Sequence, residues 1–209
     1  MAKIGLRYAF IFFVFAVVFL FIGGILNNIF GSVFIILCLF CFYFFRDPSR
    51  KILPNENHIL SPGDGRVFEI SVVDEPDFIK GKAKLVKIFL SVFNVHLQRS
   101  PISGKVEFIK MVPGLVLKAN HPLASEKNRQ NLIGIRGKFP VLVKQIAGII
   151  AQRCDLWVEQ GADVTQGDKI GIIHFGSQVD IYLPETAEIK INTGDKVVGG
   201  ITVIAAIKN

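Results

Sequence analysis

Between Tyr8 and Phe45 the chain carries no charged side chain. Twelve of its 19 phenylalanines fall in this one stretch, and the chain beyond Phe45 has ordinary globular composition. The chain therefore reads as a membrane anchor, residues 1–45, followed by a domain, residues 46–209. One unbroken helix over the whole run would reach roughly 57 Å, against a hydrocarbon core of about 30 Å. Two short spans, Tyr8–Leu26 and Ile29–Phe45, joined by a turn at Gly23–Gly31 around Asn27-Asn28, fit better. A single tilted or re-entrant span is the alternative.

Charge placement agrees with a hairpin. Lys3 and Arg7 precede the first span, while Arg46, Arg50 and Lys51 follow the second. The positive-inside rule then puts both ends and the domain on the cytoplasmic side of the inner membrane. A cleaved signal peptide is excluded by the length of the run and by the lack of a small-residue cleavage site after it. All 17 acidic residues, and all but two of the 24 basic ones, lie beyond the anchor. The net charge of +7 suits an anionic lipid surface. No basic stripe interleaved with aromatics points to nucleic acid. Cys38, Cys41 and Cys154 form no disulfide framework, and their pattern supplies no metal site.

The domain is written almost wholly in short β-branched, partly alternating stretches. These are 65–74, 84–93, 104–112, 140–153, 168–175 and 178–184, separated by Gly, Pro, Asn or Asp clusters. Residues 118–131, "KANHPLASEKNRQN", read as an exposed loop with one helical turn, long enough to suggest function. The predicted fold is mainly β: a compact barrel or sandwich behind an N-terminal helical hairpin. "VTQGDKIGII" at 164–173 is echoed by "INTGDKVVGG" at 191–200. Gly-Asp turns of this kind resemble the hammerhead strands of biotinyl and lipoyl carriers. The lysine such carriers modify is missing here before Lys190.

One dipeptide stands out in this β-rich text. "HFGSQVDIYLP" interrupts a strand pattern with Gly176-Ser177. A bulge at a strand junction is the simplest account. A second account is chemical. A serine hydroxyl held against the preceding carbonyl can convert the amide to an ester by an N→O acyl shift. Glycine on the acyl side has no Cβ to crowd the tetrahedral intermediate. Loss of the serine α-proton expels the ester carboxylate and leaves dehydroalanine. Hydrolysis then gives a pyruvoyl group and ammonia. That carbonyl can serve as an electron sink for amine substrates.

Such a site needs proton carriers. Asp64 in "SPGDGRV" is one candidate and a turn aspartate is its other reading. His96, in "SVFNVHLQRSPISG", is a second candidate or a strand-end histidine capped by backbone. Arg99 follows three residues later. His121 sits before Pro122 in the polar loop, and His174 lies two residues before Gly176 on the same side of the strand.

"FFRDPSR", "SPGDGRV", "NVHLQRSPISG", "QIAGIIAQR" and "FGSQVDIYLP" occur in the order seen in phosphatidylserine decarboxylase proenzymes of the short bacterial and archaeal form, which the chain resembles over nearly its whole length. The resemblance implies self-cleavage between Gly176 and Ser177 into a β chain (1–176) and an α chain (177–209). Ser177 would become the pyruvoyl cofactor, form a Schiff base with phosphatidylserine, and release CO2 and phosphatidylethanolamine. It implies roles for Asp64 and His96 in processing and decarboxylation, with Arg99, His121 and His174 as substrate-binding candidates. Longer members carry a second histidine where this chain has Arg99. The implied partners are the phospholipid membrane and phosphatidylserine, and a homodimer is suggested. Two other readings stay open: a pyruvoyl decarboxylase of a soluble amino acid, and a non-catalytic membrane-tethered hammerhead module.

Overall fold

A computed structural model describes residues 2–115, 117, 123–148, 153–174 and 177–207. It divides into two compact units, residues 1–49 and 50–209. In the first, α1 (Lys3–Ile22) and α2 (Ile25–Phe44) are 20 residues each. At 1.5 Å per residue each is about 30 Å long, enough by length and composition to cross a bilayer. Large apolar side chains face outward on both, Phe21 at 91% and Ile25 at 85% exposure. Between them the chain reverses through Gly23 and Gly24 alone, at φ 73° and 88°, where side chains are strained.

The turn is tighter than the sequence suggests. Asn27 and Asn28 do not break the second span; they form its first turn, with Asn27 Nδ2 donating to the Gly23 carbonyl at 2.8 Å. Gly31 is a packing residue. A Cβ there would stand 2.6 Å from Leu20 Cγ, so its absence brings the helices together. Phe34 stacks on Phe15 and Phe19 across the pair.

The second unit is β-rich. Its first strands are β1 (His58–Leu60), β2 (Gly65–Glu75), β3 (Gly81–Leu90), β4 (Leu97–Arg99) and β5 (Gly104–Val112). After a single helical turn, α3 (Ala124–Lys127), come β6 (Gln130–Arg136), β7 (Pro140–Ile146), β8 (Cys154–Leu156), β9 (Asp163–Val164) and β10 (Lys169–Ile173). The chain ends with β11 (Ser177–Pro184), β12 (Glu188–Ile189), β13 (Lys196–Val197) and β14 (Val203–Ala206).

Eight strands form a curled half-barrel in the order β13-β2-β3-β11-β7-β6-β5-β9, every pair antiparallel. Two three-stranded sheets, β1-β14-β12 and β4-β10-β8, complete it. Val86, Ile88, Ile133, Val143, Val179 and Ile181, all fully buried, belong to the core. The fold is therefore mainly β behind a helical hairpin, as expected. The strand β6 is an addition to the sequence pattern, and within the stretch 140–153 the strand runs over Pro140–Ile146. The two Gly-Asp-Lys repeats are one turn used twice. Thr165 and Asn192 donate their N–H groups to Asp168 and Asp195 at 2.7 and 2.8 Å. Gly167 and Gly194 take φ 92° and 98°.

Candidate active site

Ser177 marks the point where the chain changes sheets. β10 lies between β4 and β8; four residues after it ends, β11 begins at Ser177 and runs between β3 and β7. The strand pattern across "IIHFGSQVDI" is thus two strands in two sheets. Ser177 faces Leu90 on β3, and Gln178 faces Ile146 on β7, which sets Ala147 beside Ser177 on the other flank. Period-two alternation sends Ser177 to the core face with Val179, Ile181 and Leu183. It is fully buried, and its Oγ has no hydrogen-bond partner among the described residues. A buried hydroxyl left this way costs about 1–3 kcal/mol, and such groups call for an explanation. Gly176 and His121 lie outside the described residues.

Asp64 closes the turn between β1 and β2. Arg50 grips its carboxylate with both terminal nitrogens at 2.8 Å, and the Gly199 N–H adds a third bond at 2.8 Å. Arg50, one of the basic residues that follow the second apolar run, is therefore turned into the domain, its side chain 6% exposed. It also donates to the Gly199 carbonyl. The glycine of this turn lies over the Ser177 end of the sheet. A Cβ on Gly63 would stand 3.2 Å from Val179 Cγ1 and 3.7 Å from Leu90 Cδ2. Asp64 thus fixes the lid of the serine's niche, while the contacts of its own carboxylate are with Arg50 and Gly199.

His96 is buried opposite the end of β10. Its carbonyl accepts from the Ile173 N–H at 3.0 Å and from Gln98 Nε2 at 2.7 Å. Its Nδ1 lies 3.0 Å from the Asn94 carbonyl. A donating Nδ1–H selects the tautomer in which Nε2 carries the lone pair. Arg99 sits at the far end of β4, about 10 Å along the strand. There it pairs with Lys169 in the ladder and donates to the Gly167 carbonyl at 2.9 Å. His174 is buried between the two sheets' strands, its Nε2 3.1 Å from Asp155 Oδ2. Burial pushes the imidazole below its ordinary range, and the hydrogen bond to Asp155 opposes that.

Two buried polar clusters go beyond the sequence reading. On the core face, Asn131 Nδ2 donates to Gln145 Oε1, Gln145 Nε2 to Gln98 Oε1, and Gln98 to the His96 carbonyl, at 3.0, 2.8 and 2.7 Å. This amide chain ties the half-barrel to His96, the residue ahead of β4. On the opposite face of β11, Gln178 donates to Ser125 Oγ at 2.7 Å and to Asp180 Oδ1. Asp180 lies in register between Lys87 and Lys144. Burial nevertheless pushes its carboxyl up to about 6, against the pull of Gln178 and Lys144. Burial likewise lowers Lys144, which Asp180 opposes. The alternation Gln178-Asp180-Tyr182 is the available signal, but it reads as a solvent face; α3 covers it instead. Among the described residues, no three His, Cys, Asp or Glu side chains converge as a metal site would require.

The family model described as phosphatidylserine decarboxylase matches residues 37–205. The chain belongs to the phosphatidylserine decarboxylase family. It is 43% identical over 189 residues to the phosphatidylserine decarboxylase proenzyme of Carboxydothermus hydrogenoformans, covering 90% of this chain and 89% of that protein. Against the proenzyme of Symbiobacterium thermophilum the identity is 42% over 179 residues, covering 85% and 83%. Against that of Ehrlichia chaffeensis it is 36% over 191 residues, covering 90% and 84%. The family match takes in both the Asp64 turn and the sheet switch at Ser177.

Proposed function

We propose that this chain is a self-processing decarboxylase of phosphatidylserine. Ser177 Oγ attacks the Gly176 carbonyl carbon, the C–N bond opens, and the acyl group moves to oxygen. Loss of the Ser177 α-proton then breaks the Cβ–Oγ bond, leaving residues 1–176 with a free carboxylate. Hydrolysis of the remaining dehydroalanine yields ammonia and the pyruvoyl terminus of residues 177–209. That group, once present, supplies an electrophilic carbonyl able to take up the electrons of a departing carboxylate.

The observation that carries the reading is the buried Ser177 hydroxyl, without a hydrogen-bond partner among the described residues, at the first residue of a strand that has just changed sheets. Burial shields it from solvent, and the core residues Leu90 and Val179 hold the strand end from which it projects. His96 Nε2 is the proton acceptor this arrangement favours, since the His96 carbonyl is bonded to Ile173, the residue that ends β10. Asp64 holds the turn over the niche through Arg50. His174 and His121 belong with substrate, and Arg99 supports the wall behind the Asp64 turn. The same reading makes α1 and α2 the anchor in the inner membrane, with the domain on the cytoplasmic side, where the lipid substrate need not leave the bilayer. A homodimer belongs to the same reading.

Intact-mass analysis of the purified full chain tests it. The expected outcome is two polypeptides, 1–176 and a ketoacyl-blocked 177–209, together with CO2 release from phosphatidylserine and none from free serine. Ser177→Ala should remain one chain of 23.2 kDa. An uncut, serine-retaining parent chain would leave a tethered β domain without this activity.

A further inference from the structure

A cavity of about 440 Å³ opens where the ends of β5 and β6 meet the edge strand β8. Its size falls within the usual range for small-molecule sites, about 300–1,000 Å³. Arg129, Asn131, Arg153 and Asp155 line it with Cys154, and its apolar lip is Met111, Val112 and Pro113. Two separate connections lead from it to Ser177. On one side, Ala147 flanks Ser177 and donates its N–H to the Arg129 carbonyl at 3.0 Å. Arg129 is thus two strand spacings, about 10 Å, from the serine. On the other side, Asp155 Oδ2 holds His174, which is three residues before Ser177 in the chain.

We infer that this cavity is the phosphodiester subsite of the decarboxylase, with Arg129 as the anion ligand and Asp155 as a positioning residue joining it to His174. The inference rests on the decarboxylase reading above. Guanidinium groups match phosphate oxygens in charge and planar geometry. The lipid offers two anions, a phosphodiester and an α-carboxylate, and only one suits an arginine. The carboxylate must lose its charge as it departs, so a cation on it would stabilise the ground state more than the transition state. The phosphodiester is unchanged throughout the reaction, and holding it favours both states alike.

Asp155 forms the inner wall: its Oδ1 accepts from Arg153 Nε at 2.6 Å and its Oδ2 faces His174. The lip of Met111, itself 72% exposed, with Val112 and Pro113 suits the glycerol and acyl side of a lipid. The larger cavity, about 860 Å³, lies at the Arg99 end of the molecule. Its charges are balanced, Arg50, Arg99 and Lys169 against Glu159, Asp163 and Asp168.

The test uses the full chain in detergent micelles. With phosphatidylserine as substrate, Arg129→Gln should raise KM on the order of ten- to a hundred-fold, the worth of a charge-assisted hydrogen bond, while kcat changes by less than about threefold. Arg129→Lys should fall between the two. Glycerophosphoserine should compete with the lipid, inorganic phosphate more weakly, and free serine not at all. A KM within about twofold of the parent for Arg129→Gln, or equal competition by serine, overturns the assignment. Binding to the uncut Ser177→Ala chain separates this from the decarboxylase reading. If the parent neither cleaves nor releases CO2, that reading has failed; the subsite then stands if glycerophosphoserine binding is lost with Arg129→Gln, and falls if binding is unchanged.

Discussion

Asp180→Asn should change how the domain's stability depends on pH. The Asp180 carboxyl is fully buried between Lys87 and Lys144 and is pushed up to about 6 by burial, where an unfolded aspartate titrates near 4. Between those values the folded chain holds a proton that the unfolded chain has released. Stability from this group is therefore complete below pH 4 and lost as pH rises through 6. Two pH units at 1.36 kcal/mol each give ~3 kcal/mol, which for a urea slope near 2 kcal/mol/M moves the midpoint by ~1.5 M. The Glu69 carboxylate, paired with Lys87 at 2.7 Å and held below its ordinary range, works in the opposite direction at lower pH. Urea titrations of the uncut Ser177→Ala chain in detergent, followed by the single tryptophan Trp157, would measure this at pH 4.5, 5.5 and 7. The parent midpoint should fall across the series, and the Asp180→Asn midpoint should fall by ~1 M less, since part of the ~3 kcal/mol is already lost at pH 4.5. Identical slopes for the two chains would refute the reasoning.

Two further changes probe the architecture. Arg50→Gln removes both bonds to a largely buried Asp64 carboxylate and should cost about 3 kcal/mol or more in urea stability, with slower self-cleavage on a time-resolved denaturing gel; Arg50→Lys should restore only part, since one ammonium cannot replace a two-pronged grip. Gly65→Ala puts a Cβ 2.2 Å from the Phe89 carbonyl oxygen and should prevent β2 from pairing with β3, whereas Gly81→Ala, with nothing within 4 Å, should express and melt like the parent. Extraction yield and circular dichroism would compare the two.

The helical hairpin is legible because 38 uncharged residues have few places to go, and the reversal at Gly23-Gly24 follows from the only paired glycines in that run. The length of the turn is not. Side-chain amides look like helix breakers in sequence, yet Asn27 satisfies its own amide on Gly23 inside the helix. In the domain, 104–112 reads as a strand and is one. β6 is hidden by Gly134, whose missing side chain is filled by Phe78 and Phe108: a Cβ there would come within 2.7 Å of the Phe78 ring. That contact joins residues far apart in the chain, so no local pattern announces it. The sheet switch can be suspected from Gly176-Ser177. Long-range packing alone reveals that Arg50 belongs to Asp64, that α3 roofs Asp180, and that Asp155 reaches His174.

β11 is held by β3 along eight residues on one side and by β7 along five on the other. A nick immediately ahead of such an inner strand frees no loose end. The severed piece stays locked like the middle slat of a blind, so its new terminus keeps the coordinates of the old peptide bond. Under native conditions the nicked protein should migrate as a single particle, and only denaturant should reveal that it is two.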